Sequence, residues 1–221
     1  GDSWSDTSGG SSCTLGFKVT YFGAYSMLTA SHCIPELGIS AGDPVYHNTT
    51  QIGTYSGVYK WGSTTSNGTG IDAAILYLND WSTAYDDVIN YSSYRDIHDS
   101  TSTYVTGYWR CWTGKNSGTQ CGVINCTSST YYDDEDDIYY IDMFTIDPAG
   151  GVGDSGAPAY RPEPGSKASV TGVKSGSVNL SCTSGFDSDF SKWHNIRDYW
   201  SLTLVTDTEV YLPVVLADFH P

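Results

Sequence analysis

The chain has 221 residues, enough to bury a sizeable apolar interior in one compact unit or in two smaller ones. Its 10 Lys and Arg residues stand against 25 Asp and Glu, and the formal charge of -15 repels a phosphate backbone, so nucleic acid is excluded as a partner. The longest apolar runs are too short to span a bilayer and no basic-then-apolar leader opens the chain, so we expect a mature, soluble form without a membrane partner.

Short apolar runs separated by Gly, Ser, Thr and Tyr are typical of strands joined by turns, and the chain is therefore predicted to be all-β. In the first part, strands are predicted over residues 15–19, 25–30, 45–46, 51–59 and 71–78. The first two are expected to form a hairpin that turns near Gly23. The polar stretch from Asn79 to Thr103 has few clustered apolar residues and is the predicted connection to a second β unit.

The second β unit is predicted from further apolar runs, over residues 104–112, 121–124, 138–146, 157–160 and 169–174. One helix is predicted near the end, because four large apolar residues recur there with helical spacing: Trp193, Ile196, Tyr199 and Trp200. Either Asp189 or Ser191 is available to cap this helix. We expect the aromatic residues to fill the core rather than to stack on a ligand.

The most informative motif is a glycine-rich string, Gly153-Asp154-Ser155-Gly156. Glycines on both sides allow tight backbone turns that can expose the Ser155 hydroxyl and aim amide N–H groups at one point. A hydroxyl held in this way can attack a carbonyl carbon. Taken alone, the string is equally consistent with an ordinary glycine turn.

A Ser hydroxyl is a weak nucleophile unless a base takes its proton, so this interpretation requires a histidine with a carboxylate behind it. Among five histidines, His32 ends an apolar strand and lies beside Cys33, whereas the others have polar or terminal surroundings. Asp72 heads an otherwise apolar strand and needs partners if it is buried. Taken singly, His32 could be structural and Asp72 could be a cap, but the order His, Asp, Ser matches one known triad arrangement.

Five sequence blocks together resemble a chymotrypsin-fold serine peptidase, closest to the microbial secreted branch of streptogrisins and alpha-lytic-type enzymes. They resemble an opening strand, a histidine box, an aspartate box, a loop closed by two cysteines and a serine box: residues 12–19, 28–33, 70–76, 111–122 and 153–158. The resemblance implies two six-stranded antiparallel β-barrels with a short C-terminal helix. Residues 1–95 would form the first barrel, with His32 and Asp72, and residues 96–221 the second, with Ser155.

The resemblance implies that His32, Asp72 and Ser155 form a catalytic triad, with the backbone N–H groups of Gly153 and Ser155 as the oxyanion hole. The implied reaction is hydrolysis of peptide or protein substrates through an acyl-enzyme, by a monomer that needs no cofactor and no metal. The acidic run over residues 133–137 could hold calcium, but consecutive carboxylates do not converge in an extended chain, and a solvated loop is predicted.

Cysteines and glycosylation signals favour an oxidising, secretory route, and an extracellular glycoprotein of eukaryotic, for example fungal, origin is expected. The chain has six Cys, and five Asn-X-Ser/Thr sequons begin at Asn48, Asn67, Asn90, Asn125 and Asn179. The family resemblance implies two disulfides, Cys13–Cys33 and Cys111–Cys121. The two cysteines left over are assigned to each other by elimination, with free thiols as the alternative: Cys126 and Cys182.

The resemblance also locates the pocket for the P1 side chain, which lies on the acyl side of the scissile bond. Trypsins hold a basic side chain there with an Asp, and this chain has Ala149 at that place, so a strong preference for Arg or Lys is not expected. The pocket is expected to run from Ala149 to Val152 on one side and from Ser175 through Gly176 to Ser177 on the other.

Lys174 adjoins this pocket wall. In glutamate-specific microbial relatives, a His and a Ser at the places that match Lys174 and Ser177 bind an acidic side chain, so Lys174 could supply a positive charge. From a strand it could equally point to solvent. Medium or large apolar P1 side chains are therefore the broader expectation, with acidic ones as the narrower alternative.

The sequence also bears on how the protein is activated and on two rival functions. No Ile-Val-Gly-Gly start is present, so insertion of a new N-terminus beside Asp154 is not supported, and removal of a pro-segment is expected. One rival is a non-catalytic binding module on the same fold, which the intact triad disfavours. The other is a carbohydrate-binding β-sandwich, suggested by 18 Tyr and 7 Trp, which leaves the ordered His, Asp and Ser boxes unexplained.

Overall fold

The structure is a computed structural model that describes residues 3–5, 12–65, 71–80, 87–91, 93–133, 137–178 and 187–206. The strands are β1 (Ser3–Trp4), β2 (Cys13–Thr14), β3 (Lys18–Tyr21), β4 (Ala24–Thr29), β5 (Pro44–His47), β6 (Thr50–Trp61), β7 (Asp72–Leu78), β8 (Asp87–Asn90), β9 (Ser93–Ser100), β10 (Trp109–Gly114), β11 (Gly118–Asp133), β12 (Ile138–Ile146), β13 (Pro158–Glu163), β14 (Lys167–Val178), β15 (Asp187–Lys192) and β16 (Thr203–Leu204). The helices are α1 (Cys33–Leu37) and α2 (Trp193–Trp200). The chain is thus mostly β, as predicted.

The first large sheet has six antiparallel strands in the order β16-β3-β4-β7-β6-β5. The predicted hairpin is present, and its turn uses Phe22 and Gly23, both in the left-handed region. β4 and β7 are central neighbours, with Thr29 paired to Ala74. The end of β4, which leads into His32, therefore lies beside the start of β7, where Asp72 stands.

The second large sheet contains eight strands among the described residues, and six of them close on themselves. Their order is β13-β10-β11-β12-β15-β14, and β13 pairs with β10 on one side and with β14 on the other. This closure matches the expectation of a six-stranded barrel. The remaining β8–β9 hairpin is attached through β9, which runs parallel to β14, so one pairing departs from the predicted antiparallel arrangement.

The β8–β9 hairpin lies inside the polar stretch that was predicted to be a connection. Val88 and Ile97 are buried there, and pairing with β14 supplies backbone partners, so a polar segment forms strands. Because both strands belong to the second sheet, a division after residue 95 would cut through β9. The chain passes from the first sheet to the second between Leu78 and Asp87, and it returns to the first sheet with β16.

Helix α2 occupies the predicted position and buries Trp193 and Ile196. The predicted cap is wrong, because the N-cap residue is Lys192 and no side chain caps the helix. Asp189 and Ser191 lie in β15 instead, where both are buried. Among the described residues, no helix has the length and apolar character needed to cross a membrane.

Two disulfides are formed as the family resemblance implied, Cys13–Cys33 and Cys111–Cys121. The first ties β2 to α1 directly behind His32, and the second joins β10 to β11. Cys126 is also disulfide-bonded. Its predicted partner, Cys182, lies outside the described residues.

The largest apolar cluster lies between the two sheets and joins them. Leu28 comes from the first sheet and Phe17 from the residue just before β3, Val170 and Val173 come from the second sheet, and Trp193 of α2 belongs to the same cluster and packs against Phe17. A further link is the hydrogen bond that the Trp61 indole donates to the Tyr140 hydroxyl, at 2.8 Å. The seam between the sheets is therefore closely packed, and the three candidate functional residues meet there. Asp72 stands at the start of β7, paired with Trp61, His32 follows β4, and Ser155 lies between β12 and β13.

Candidate active site

His32 lies at the N-cap of α1, three residues after β4 ends. Its ring connects the two other candidate residues: Nδ1 is 2.7 Å from Asp72 Oδ2, and Nε2 is 2.8 Å from Ser155 Oγ. The Asp72 carboxylate can only accept, so Nδ1 carries the proton of the neutral ring and Nε2 is left as the acceptor. The structure thus brings the three residues into one hydrogen-bonded chain that crosses the seam between the sheets.

Asp72 is the first residue of β7, and its carboxylate is fully buried. Oδ1 accepts from the Ser31 backbone N–H at 2.7 Å, the Ser31 hydroxyl at 2.6 Å and the His32 backbone N–H at 3.1 Å. Oδ2 accepts from the Ser175 hydroxyl at 2.5 Å in addition to the His32 ring. A buried charge is costly unless it is hydrogen-bonded, and these bonds satisfy both oxygens.

The two titratable partners stabilise each other's charged forms. Burial of the His32 ring lowers its pKa, but the charge of Asp72 and its hydrogen bond outweigh burial and raise the pKa from 6.5 to about 9. Burial likewise raises the pKa of Asp72, but the charge of His32 and the hydrogen bonds from His32, Ser175 and Ser31 lower it to about 2. The pair therefore keeps Asp72 ionised and makes His32 a stronger base than a free histidine.

Ser155 lies in the loop between β12 and β13, where two glycines are required. Gly156 has φ +92°, and a Cβ there would lie 2.2 Å from the Thr14 carbonyl oxygen and 2.4 Å from Thr29 Oγ1. Gly153 has φ +88°, in the left-handed region that favours glycine. This close packing against β2 and β4 holds Ser155 against His32.

A cleft of about 490 Å³ opens beside this hydrogen-bonded chain. Its lining includes His32, Gly153 and Ser155, together with the exposed Val152 and the charged Glu36. A ligand in the cleft can therefore reach the Ser155 hydroxyl, and the arrangement can pass that proton to His32 as Ser155 attacks. Among the described residues, no group of three or more His, Cys, Asp or Glu is arranged to hold a metal ion.

The predicted pocket wall of Ser175, Gly176 and Ser177 has a role for each residue. The Ser175 hydroxyl donates to Asp72, as described above, and the Gly176 N–H donates to Asp189 Oδ1 at 3.0 Å. The Ser177 hydroxyl accepts from the Gly150 N–H at 3.0 Å, which joins this wall to the segment from Ala149 to Val152. The two predicted sides of the pocket are therefore linked to each other.

Lys174 does not point to solvent, because its side chain is buried beneath the same wall. Its ammonium donates to the Gly176 carbonyl at 2.6 Å and to the Ser177 hydroxyl at 3.3 Å, and it lies 5.6 Å from the Trp112 ring centroid. Burial lowers the pKa of Lys174, and the charge of Asp189 is the largest influence that opposes this. The Lys174 amine thus lies against Gly176 and Ser177 on one side of the predicted pocket, and its Cε lies so close to the other side that a Cβ at Gly150 would be 2.7 Å from it.

Sequence reasoning missed several residues that shape the site. The Ser31 hydroxyl binds Asp72, and the position of Ser31 next to His32 was the signal that could have found it. Ser175 was expected only in the pocket wall, but its hydroxyl also binds Asp72. Asp189 was considered only as a helix cap, because the helical spacing that follows it hides a strand. The hairpin residues Asn116 and Ser117 gave no signal, since their partners are 36 to 38 residues away along the chain.

Comparison with known proteins gives consistent matches. A family model described as Trypsin matches residues 11–196. Thermobifida fusca Protease A aligns with a TM-score of 0.69 and 26% identity over 93% of this chain and 97% of that one. Nocardiopsis protease aligns with a TM-score of 0.68 and 24% identity over 93% and 97%. A glutamic acid-specific serine protease, whose substrate binding uses a histidine triad, aligns with a TM-score of 0.69 and 21% identity over 92% and 98%. No curated protein matches the sequence.

Proposed function

Because the chain belongs to the trypsin family of serine peptidases, we propose that it is a secreted endopeptidase that uses Ser155 as nucleophile, His32 as general base and Asp72 as the orienting carboxylate. The observation that carries this proposal is the continuous chain of hydrogen bonds from Asp72 through His32 to Ser155, at 2.7 and 2.8 Å. These distances lie within the range that proton transfer between nucleophile and base requires.

In the proposed acylation step, Ser155 Oγ attacks the carbonyl carbon of the scissile peptide while its proton moves to His32 Nε2. The carbonyl oxygen gains negative charge, which the N–H groups of Gly153 and Ser155 stabilise as an oxyanion hole. His32 then gives the proton to the leaving amine, and the acyl-enzyme forms. Water then attacks the ester carbonyl carbon while its proton moves to His32 Nε2. His32 returns this proton to Ser155 Oγ as the acyl C–Oγ bond breaks and the carboxylic acid product leaves, so the enzyme is regenerated.

The direct test is covalent labelling of Ser155. We expect an organophosphonate serine probe to add one phosphonyl group per molecule of active protein, located on Ser155 by mass spectrometry. Ser155→Ala is the matched control, and it should neither label nor cleave a protein substrate. If correctly folded wild-type protein remains unlabelled, the peptidase proposal fails and the non-catalytic binding module is favoured.

For specificity, we propose a P1 preference that excludes basic side chains and favours acidic over apolar ones. Ala149 offers no carboxylate to a basic side chain, and the buried ammonium of Lys174 repels one while it attracts a carboxylate. The Ser177 hydroxyl accepts from the Gly150 N–H and the Lys174 ammonium, and it would donate to the same ligand by turning its proton away from the Gly150 carbonyl oxygen. The glutamic acid-specific similar structure is in line with this proposal.

Three peptides that differ only in Glu, Leu or Arg at P1 test this preference. We expect kcat/KM to be highest for Glu and lowest for Arg. Lys174→Met should lower kcat/KM for the Glu peptide about 10- to 100-fold, as expected for loss of a charged hydrogen-bond partner, and leave the Leu peptide nearly unchanged. A best substrate with Arg, or an equal loss with all three peptides, would contradict the assignment.

Secretion is proposed from the two described disulfides, since such bonds persist in oxidising compartments. All three proposed catalytic residues come from one chain, which supports action as a monomer.

Among the sequons, Asn48 lies exposed in a turn and suits a glycan, whereas the Asn125 amide donates to Asp187 at 3.1 Å. Removal of a pro-segment remains the proposed route of activation.

A further inference from the structure

The carboxylate of Asp154, the residue before the proposed nucleophile, is held by a hairpin from a distant part of the chain. The hairpin loop joins β10 to β11. Oδ1 accepts from the backbone N–H groups of Asn116 at 2.9 Å and Ser117 at 3.1 Å. Oδ2 accepts from the Ser117 hydroxyl at 2.5 Å and from the Gly151 N–H at 2.8 Å. A fully buried carboxylate is thereby satisfied by four uncharged donors.

The electrostatics agree with this geometry. Burial raises the pKa of Asp154, but the hydrogen bonds from Ser117, Gly151 and Asn116 outweigh burial and lower it. Lys174 is close enough for Asp154 to raise its pKa, but its ammonium donates to Gly176 and Ser177 instead. Asp154 is therefore ionised without needing a hydrogen bond from a cation.

The same hairpin also orients the backbone of the proposed oxyanion hole. The side-chain amide of Asn116 donates to the carbonyl of Val152. The C=O and N–H of one trans peptide point in opposite directions, so this bond turns the Gly153 N–H away from the hairpin. The next carbonyl, that of Gly153, accepts from Thr14 Oγ1 at 2.8 Å, and Thr14 Oγ1 in turn accepts from the Lys115 N–H at 3.0 Å.

This restraint matters because the segment is glycine-rich. A peptide that joins Val152 to a glycine with φ +88° can rotate at little conformational cost. Such a rotation would point the Val152 carbonyl, rather than the Gly153 N–H, toward the developing oxyanion. The partial negative charge of this carbonyl oxygen would then face the negative oxyanion, and transition-state stabilisation would be lost.

We propose that Asn116 and Ser117 are positioning residues that hold the segment from Val152 to Asp154 in the conformation able to stabilise the oxyanion, through hydrogen bonds from uncharged donors. The inference rests on the proposed peptidase function. Among the described residues, the donors that the structure gives to the Asp154 carboxylate are all uncharged.

The test compares Asn116→Leu with Asn195→Leu. Both changes replace an amide by an apolar side chain of similar size, and Asn195 donates to Asp142 between α2 and β12, neither residue lining the cleft. We expect Asn116→Leu to lower kcat about 10- to 100-fold, somewhat less than direct loss of an oxyanion-hole donor, with KM within twofold of wild type. Asn195→Leu should leave kcat unchanged, and Asn116→Gln should recover part of the activity.

A second readout separates positioning from general loss of structure. A peptide aldehyde forms a hemiacetal with Ser155 and needs the oxyanion hole, so its affinity should fall by the same factor as kcat in Asn116→Leu. Ser117→Ala should show the same pattern with a smaller loss. The inference is overturned if wild type turns over and Asn116→Leu retains its kcat, or if only KM rises while aldehyde affinity stays constant. Absence of labelling and turnover in wild type would instead defeat the proposed function itself.

Discussion

At the residue scale, the pairing of His32 with Asp72 determines how the proposed activity depends on pH. General-base catalysis needs neutral His32, and its pKa is raised from 6.5 to about 9 because the attraction of Asp72 exceeds the effect of burial. Activity should therefore rise as pH increases toward about 9, a higher pH than an ordinary histidine would require, and it should be low at pH values below 6.5. The slope of kcat/KM against pH measures this directly, and an acidic optimum would contradict it.

Replacing the carboxylate separates its electrostatic effect from its shape. Asp72→Asn keeps the size of the side chain but removes the charge and favours the wrong tautomer of His32, so kcat should fall by about four orders of magnitude. The remaining activity should have its acidic limb at a lower pH, because the influence that raised the His32 pKa is gone. As a control, unfolding curves must show that Asp72→Asn is folded under the assay conditions. An unshifted limb would mean that Asp72 does not set the basicity of His32.

The same shift has a consequence for stability. A folded-state pKa above the unfolded value means that protonated His32 stabilises the fold at pH values below 6.5. That contribution is lost as pH rises through about 9. For Asp72 the sign is opposite: its lowered pKa contributes stability above 3.8, which is lost as pH falls toward about 2.

At the element scale, α2 is fixed to the seam between the sheets by one aromatic residue. Trp193 is 1% exposed and packs edge-on against Phe17 at 5.2 Å between ring centroids. Trp193→Ala should lower the free energy of unfolding by about 3 to 5 kcal/mol, the usual cost of emptying a large aromatic site. Tyr199→Ala on the half-exposed face should change it by less than about 0.5 kcal/mol. Equal effects in urea unfolding would show that α2 does not bury the face assigned to it.

The elements also show which parts of the fold the sequence could predict. Strands with compact apolar runs, such as β4 and β7, were predicted because their own residues favour burial. The β8–β9 hairpin was missed because, among its described side chains, Val88 and Ile97 are the buried apolar ones in a polar segment, and its pairing comes from β14, far along the chain. Asp189 was misassigned as a helix cap because the strand before α2 is polar and yet fully buried.

The candidate site was likewise predictable from the sequence only in part. His32, Asp72 and Ser155 could be singled out because each has an unusual local context, a polar residue beside an apolar strand or between glycines. The hydrogen bonds that hold them could not, since Ser175 reaches Asp72 across 103 residues and the Asn116 backbone reaches Asp154 across 38. Such partners depend on how two sheets meet, which no local pattern encodes.

At the scale of the whole molecule, the formal charge of -15 should affect which substrates approach the cleft. Peptides with the same Leu at P1 but with Glu-rich or Lys-rich tails test this independently of the pocket. At low ionic strength the molecule should repel the acidic tail and attract the basic one, and salt should weaken both effects because the screening length falls to about 10 Å at 0.1 M. We therefore expect kcat/KM to rise several-fold with salt for the Glu-rich peptide and to fall for the Lys-rich one. A parallel response of the two peptides would mean that the charges near the cleft, Glu36 and Lys115 among them, outweigh the net charge of the molecule.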